Sequence, residues 1–84
     1  MTKTAHNLDC LPCGQHAFIK GVDLDRELRT RLKALGLEAG KAIQVLRRAS
    51  LGGPLHVRVG TTEIILRRLE AAGIHVSPSL SVAT

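Results

Sequence analysis

A single stretch of the chain, from Asp23 to Gly40, has the residue pattern of an α-helix. Its leucines at positions 24, 28, 32 and 35 fall on one side of a helix with about 3.6 residues per turn. The basic residues of the stretch point elsewhere, so the pattern predicts a helix of about three turns with an apolar face and a basic face. Asp23 or Asp25 can cap its first turn, and Gly36 can adopt the left-handed conformation that ends it.

The rest of the chain consists of short segments in which apolar and polar residues alternate, which is typical of half-buried β-strands. The predicted strands cover residues 15–20, 41–48, 55–59, 62–66 and 74–76. Five short strands with one helix inserted after the first predict a mainly β fold, a small SH3-like five-stranded barrel. A ferredoxin-like sandwich would need a second amphipathic helix of similar length, which the sequence lacks.

The chain of 84 residues is long enough for one small domain. We predict a flexible N-terminus at residues 1–7, a folded domain at residues 8–76 and a C-terminal tail at residues 77–84. The first residues lack the apolar stretch of a secretory signal, and no apolar run approaches the roughly 20 residues of a membrane span. We therefore expect a cytoplasmic protein that does not insert into a membrane and keeps its cysteines reduced.

Charge and aromatic content narrow the classes of partner. The formal net charge is +5, which favours an acidic partner such as nucleic acid, anionic lipid or an acidic protein surface. Phe18 is the only aromatic residue among Phe, Trp and Tyr. A groove for proline-rich peptides and a base-stacking platform for single-stranded nucleic acid both need several aromatic side chains, so neither can be built here.

Cys10, Cys13 and His16 form a Cys-x-x-Cys-x-x-His pattern. Two thiolates and an imidazole on one turn could supply three of the four ligands that Zn²⁺ prefers, and another transition metal is a further option. A fourth ligand could come from another histidine (His6, His56 or His75) or from the same segment of a second copy, which would give a metal-linked homodimer. The alternative is a pair of free thiols, with no cofactor required.

A redox or hydrolytic enzyme is not indicated. The Cys-x-x-Cys pair leads into a strand, whereas the thiolate of thioredoxin-like enzymes is activated at a helix N-terminus. The carboxylates are scattered rather than clustered, so no iron site is predicted. A phosphate-binding Gly-x-x-x-x-Gly-Lys-Ser/Thr loop is absent, and no spacing suggests a nucleophile and its base. We therefore predict that the protein is not an enzyme.

Several motifs together resemble the ferrous iron transport protein A (FeoA) family. They begin with Leu8-x-x-Leu11-x-x-Gly14 and continue through the Leu-Gly-Leu-x-x-Gly exit of the helix, residues 35–40. They end with Gly53-Pro54-Leu55-x-Val57-x-Val59-Gly60, then Ile64-Ile65-Leu66-Arg67-Arg68, and finally Ala71-x-x-Ile74-x-Val76. The resemblance covers about residues 8–76, and Cys10 and Cys13 are not part of the family pattern.

This resemblance implies an SH3-like fold, similar to the C-terminal domain of metal-dependent repressors. It also implies a cytoplasmic accessory protein of ferrous iron uptake, whose partner is the cytoplasmic GTPase region of the membrane transporter FeoB. The family has no established catalytic residues to carry over. We predict that the partner surface uses Arg26, Arg29 and Lys33 on the basic helix face, or Leu51 in the loop before Gly52-Gly53-Pro54.

Two alternatives stay open at this point. The segment from Gly40 to Arg47 is similar to the strand opening of small RNA-binding barrels, and the net charge suits phosphates, so a basic nucleic-acid-binding SH3-like barrel is one alternative. Without an aromatic platform we expect no specific nucleic-acid partner. The other alternative is a free-standing metal-binding domain built on Cys10, Cys13 and His16.

Overall fold

The computed structural model describes residues 6–78, which form one antiparallel sheet with two short helices. The strands are β1 (His6–Asn7), β2 (His16–Val22), β3 (Ala42–Arg48), β4 (Leu55–Val59), β5 (Thr62–Leu66) and β6 (Ile74–Pro78). The helices are α1 (Arg26–Ala34) and α2 (Arg68–Ala72), and a 3₁₀ turn covers Leu8–Cys10. The mainly β class with one amphipathic helix inserted after the first long strand is confirmed.

The strand order in the sheet is β1-β6-β2-β3-β4-β5. The five strands predicted from sequence are the five long ones, and β1 adds a two-residue strand paired with β6. The described strands run from His6 in β1 to Pro78 in β6, and most of the predicted flexible N-terminus (1–7) and C-terminal tail (77–84) lies outside the described residues. Register shifts between Ile19 and Gly21 and between Val45 and Arg47 bend the sheet, as bulges do in small barrels.

One apolar cluster forms the core, and the period-two pattern of the strands explains which residues enter it. In β4, Leu55, Val57 and Val59 are buried, while Arg58 points to solvent. Ala17 and Ile19 of β2 are likewise buried, and Phe18 between them is exposed. Burial of these aliphatic side chains is the main stabilising term for a domain of this size.

Helix α1 begins and ends as its sequence predicts. Asp25 is the N-cap, and its Oδ1 accepts a hydrogen bond of 2.9 Å from the backbone N–H of Leu28. At the other end Gly36 has a φ of +102°, and the N–H of Leu37 donates to the carbonyl of Leu32 at 2.9 Å. These bonds form a Schellman motif, which brings the buried side chains of Leu32 and Leu37 to the same end of the helix.

One residue of the predicted apolar helix face lies elsewhere. Leu32 is buried, and Leu24 and Leu28 pack partly against the core, but Leu35 is exposed. Leu35 is the C-cap residue, where the chain leaves the helix axis. The buried position at this end is taken by Leu37, so the prediction that Leu35 belongs to the apolar face is wrong.

Candidate partner-binding surfaces

The basic face predicted for α1 is exposed to solvent. Arg26, Arg29 and Lys33 all lie outside the core, with Lys33 in the last turn, where a cation is favoured by the helix dipole. Arg29 and Lys33 also line an open groove of about 370 Å³, together with the apolar residues Val22 and Leu37 and one carboxylate, Glu38. The structure thus brings two of the three predicted basic residues to one groove with both cationic and apolar lining.

Leu51 lies at the tip of the β3–β4 hairpin and is fully exposed. Its φ is +57° and that of Gly52 is +76°, and the N–H of Gly53 donates to the carbonyl of Ser50 at 3.2 Å. Two consecutive positive φ values with this bond define a type I′ turn, whose first central position usually holds Asn, Asp or Gly. A leucine at this position has a strained backbone and leaves its apolar side chain in water. Both features cost free energy, and neither is needed to form the turn.

Carboxylates do not neutralise the lysines and arginines within residues 6–78. Among residues 6–78 the one contact between a basic side chain and a carboxylate joins His56 Nε2 and Glu63 Oε1 at 2.8 Å, so the lysines and arginines of this part pair with no carboxylate. Some of these cations bond to uncharged groups of the domain. The Nη2 of Arg48 donates to the backbone carbonyls of Asp9 at 2.8 Å and Leu11 at 2.7 Å. Arg29 Nη1 donates to the carbonyl of Leu24 at 3.4 Å and Arg58 Nη2 to Gln44 Oε1 at 3.3 Å, and neither bond neutralises the charge of its guanidinium.

Cys10 and Cys13 of the Cys-x-x-Cys-x-x-His pattern lie in the connection between β1 and β2, and His16 is the first residue of β2. Cys10 ends the 3₁₀ turn and Cys13 follows it, and both thiols are free and exposed. The Sγ of Cys13 contacts the carbonyl oxygen of Leu46 at 3.5 Å, and exposed His16 stands opposite Gln44 in the sheet. Within residues 6–78 no three His, Cys, Asp or Glu side chains come together in a metal-binding arrangement.

Two exposed apolar residues were missed by sequence reasoning. Ile65 in β5 is 69% exposed and Leu69 in α2 is 84% exposed. The alternation in β5 contained the signal for Ile65, because Ile64 and Leu66 occupy the inward positions and Glu63 the neighbouring outward one. An isoleucine at an outward position of a strand is therefore a candidate contact residue that the pattern alone could have identified.

Taken together, residues 6–78 form a small SH3-like domain with open grooves, exposed basic side chains and isolated exposed apolar residues. The model of the FeoA domain matches residues 6–78, which is the whole described fold. The chain belongs to the FeoA family, whose members are small accessory domains associated with ferrous iron transport and not a known enzyme family. No curated protein sequence matches the chain significantly.

Solved structures agree with this assignment. The FeoA protein of Chlorobium tepidum is 37% identical, with a TM-score of 0.83 over 87% of this chain and 70% of that one. FeoA of Stenotrophomonas maltophilia, a procaryotic SH3 domain protein solved in complex with zinc, is 32% identical, with a TM-score of 0.74 over 86% of this chain and 89% of that one.

The likeness to metal-dependent repressors is confirmed at the level of fold. A manganese-dependent transcriptional repressor is 20% identical, with a TM-score of 0.80 over 94% of this chain and 44% of that one. At this identity the match concerns the fold alone.

No helix among residues 6–78 is long and apolar enough to cross a membrane.

Proposed function

We propose that this chain is a regulatory interaction module of bacterial ferrous iron uptake, which acts in the cytoplasm by docking on the GTPase region of the transporter FeoB. The observation that carries the proposal is the FeoA match over the whole described fold. The Stenotrophomonas maltophilia relative, for which a role as a ferrous iron transport activating factor has been suggested, supports a regulatory role. The module acts by contact and not by catalysis.

The basic groove of α1 is the proposed contact surface. Arg29 and Lys33 stand beside apolar Val22 and Leu37, so a partner with an acidic rim and an apolar centre would satisfy both kinds of lining. Arg26 extends the same basic face by one turn toward the helix N-terminus. Leu51 offers a second contact, in which a fully hydrated leucine would gain from burial in an apolar pocket of the partner.

Calorimetry with the cytoplasmic region of FeoB tests this docking. The titration is done with GDP, with a non-hydrolysable GTP analogue and without nucleotide, and we expect saturable binding in at least one of these states. The variant Arg26→Glu/Arg29→Glu/Lys33→Glu should weaken binding at least about tenfold, because like charges at a complementary interface are strongly unfavourable.

A control of equal charge separates docking from net electrostatic attraction. The variant Lys20→Glu/Lys41→Glu/Arg47→Glu changes the same number of charges at exposed positions outside α1. We expect this control to lose much less affinity than the α1 variant. Equal losses in the two variants would assign the binding to overall charge, and no binding in any nucleotide state would reject the docking proposal.

We also propose that the domain folds without a cofactor, and that metal binding at Cys10 and Cys13 depends on ligands from outside residues 6–78. Two exposed thiols supply half of a tetrahedral zinc site, and His16 is held on the neighbouring strand β2. The zinc complex of the Stenotrophomonas maltophilia relative makes Zn²⁺ the metal to test. Such a metal site would form on the folded domain and would not be needed for its stability.

A further inference from the structure

Strand β5 is an unprotected edge of the sheet. It is last in the strand order and pairs with β4 alone, in a regular ladder without a bulge. Exposed edge strands usually carry lysine, proline or a bulge, which discourage pairing with another chain. The sequence Thr-Glu-Ile-Ile-Leu of β5 has none of these three devices; Glu63 is its one charged residue, and Ile65 is exposed on the same face.

The free backbone groups of this edge can be identified from the hairpin geometry. Gly60 and Thr61 form a two-residue turn, which makes Val59 and Thr62 a hydrogen-bonded pair. Pairing type alternates along an antiparallel ladder, so Ile64 and Leu66 also bond to β4 while Glu63 and Ile65 direct their N–H and C=O groups outward. No backbone bond from elsewhere in residues 6–78 reaches these four groups.

Arg67, the residue after β5, continues the extended path of the strand, but its backbone N–H and C=O are already hydrogen-bonded. Arg67 has φ −71° and ψ 154° as the N-cap of α2. Its N–H donates to Glu70 Oε1 at 2.9 Å, and its carbonyl accepts from the N–H groups of Glu70 and Ala71. The available edge is therefore limited to Glu63 and Ile65, whereas the side chain of Arg67 remains exposed and without a carboxylate partner in residues 6–78.

We propose that β5 pairs with β5 of a second copy of this chain, in an antiparallel register that sets Glu63 opposite Ile65 of the other copy. This register uses all four free groups of each edge in four interchain hydrogen bonds. The register one step further, with Ile65 opposite itself, would need the backbone groups of Arg67, which are already bonded within the cap.

In this register the side chains along the β5 edge of one copy complement those of the other copy. Glu63 lies diagonally across from Arg67 of the second copy, a separation that long side chains span, and the two-fold axis repeats this contact. Arg67, which has no carboxylate partner within residues 6–78, thus meets Glu63 of the other copy twice in the dimer, while Glu63 Oε1 keeps its contact of 2.8 Å with His56 Nε2 of its own chain. Ile65 covers the aliphatic part of Glu63 from the other copy, which removes its exposed apolar surface from water.

Sedimentation equilibrium tests the pairing on the whole chain. Two five-residue strands make a small interface, so concentrations from about 10 μM to about 1 mM are needed. Interference optics are required, because the chain has no Trp or Tyr. We expect the average mass to rise from 9.0 kDa toward twice that value with a chelator present throughout, which excludes a metal-linked dimer at the cysteines.

Variants at the edge test the register. Ile65→Glu places a carboxylate opposite Glu63 of the other copy twice per dimer, and should raise the dissociation constant at least about tenfold. Leu69→Glu is the matched control, with the same change at an exposed apolar residue of α2, and should leave association unchanged. Glu63→Arg should weaken the dimer, and adding Arg67→Glu should restore it, because the exchanged charges are again complementary.

Amide hydrogen exchange provides a readout that does not depend on variants. The amides of Glu63 and Ile65 should exchange more slowly as the wild-type concentration rises, and circular dichroism should confirm that every variant is folded. A wild-type mass of 9.0 kDa at all concentrations, a dimer insensitive to Ile65→Glu, or a dimer lost with chelator would each overturn the proposal. Protection of these amides only by added FeoB region would assign the edge to a foreign strand and also overturn self-pairing.

Discussion

At the scale of single residues, Leu51 is the most informative position. A non-glycine residue with positive φ costs about 1–2 kcal/mol relative to its relaxed conformation, and a leucine gains nothing locally in return. Its side chain is fully exposed, so no packing within residues 6–78 compensates this cost. The docking contact proposed for Leu51 would account for a strained and hydrated leucine at a loop tip.

Replacement of Leu51 by asparagine should separate stability from docking. Asparagine adopts positive φ readily, so Leu51→Asn should increase the free energy of unfolding by about 0.5–1 kcal/mol in chemical denaturation. The same variant should weaken binding to FeoB about tenfold, because a buried leucine contributes roughly 1.5–3 kcal/mol.

Leu69→Asn is the matched control for this prediction. Leu69 is exposed in α2 and has no positive φ, so its replacement should give no gain in stability. If Leu51→Asn binds FeoB as tightly as wild type does, the turn has no part in docking and its strain needs another explanation.

At the scale of elements, the turn that carries Cys10 and Cys13 is held by contacts that do not involve the thiols. Arg48 of β3 bonds to the carbonyls of Asp9 and Leu11, and buried Leu8 and Leu11 anchor the turn to the core. The sulfur atoms are exposed, and that of Cys13 makes one long contact with Leu46. We therefore expect the turn to keep its shape whether or not a metal is bound.

The variant Cys10→Ser/Cys13→Ser should consequently unfold within about 0.5 kcal/mol of wild type, with or without chelator, since exposed substitutions rarely exceed this range. Added Zn²⁺ should bind wild type through its thiolates and should not bind the variant at comparable concentrations. Unfolding monitored by circular dichroism and elemental analysis after dialysis against Zn²⁺ measure the two effects. A lower unfolding midpoint of the wild type in chelator would contradict a fold that is independent of metal.

Local signals explain which elements were predictable. The N-cap, the positive φ of Gly36 and the alternation of residues 55–59 all depend on near neighbours in sequence, and the structure has each of them as predicted. The contacts of Arg48 with the carbonyls of Asp9 and Leu11 join residues 39 and 37 positions apart, so no local sequence pattern predicts them. The position of β5 at the sheet edge is equally non-local, because it depends on the order of all strands.

At the scale of the whole molecule, the net charge of +5 is a property of the surface and not of one site. Within residues 6–78 the lysines and arginines lie on α1, on β2, β3 and β4, just before β3 and around the start of α2, and none of them pairs with a carboxylate. This arrangement attracts any polyanion without specifying one. Protein partners with local acidic surfaces can use one group of cations, whereas a nucleic acid would have to follow them around a curved sheet.

Binding to nucleic acid should therefore be weak and strongly dependent on salt. If about three phosphates are neutralised at once, the affinity should fall roughly fortyfold between 50 and 200 mM salt and show no sequence preference. Phe18 is the one aromatic side chain available for stacking, so base recognition on the sheet lacks its usual platform. Mobility-shift titrations at the two salt concentrations, with RNA and DNA of several sequences, measure this. Tight, sequence-selective binding at physiological salt would make the domain a nucleic-acid-binding barrel, whereas a steep salt dependence without selectivity leaves the acidic protein surface as the partner that fits the charge.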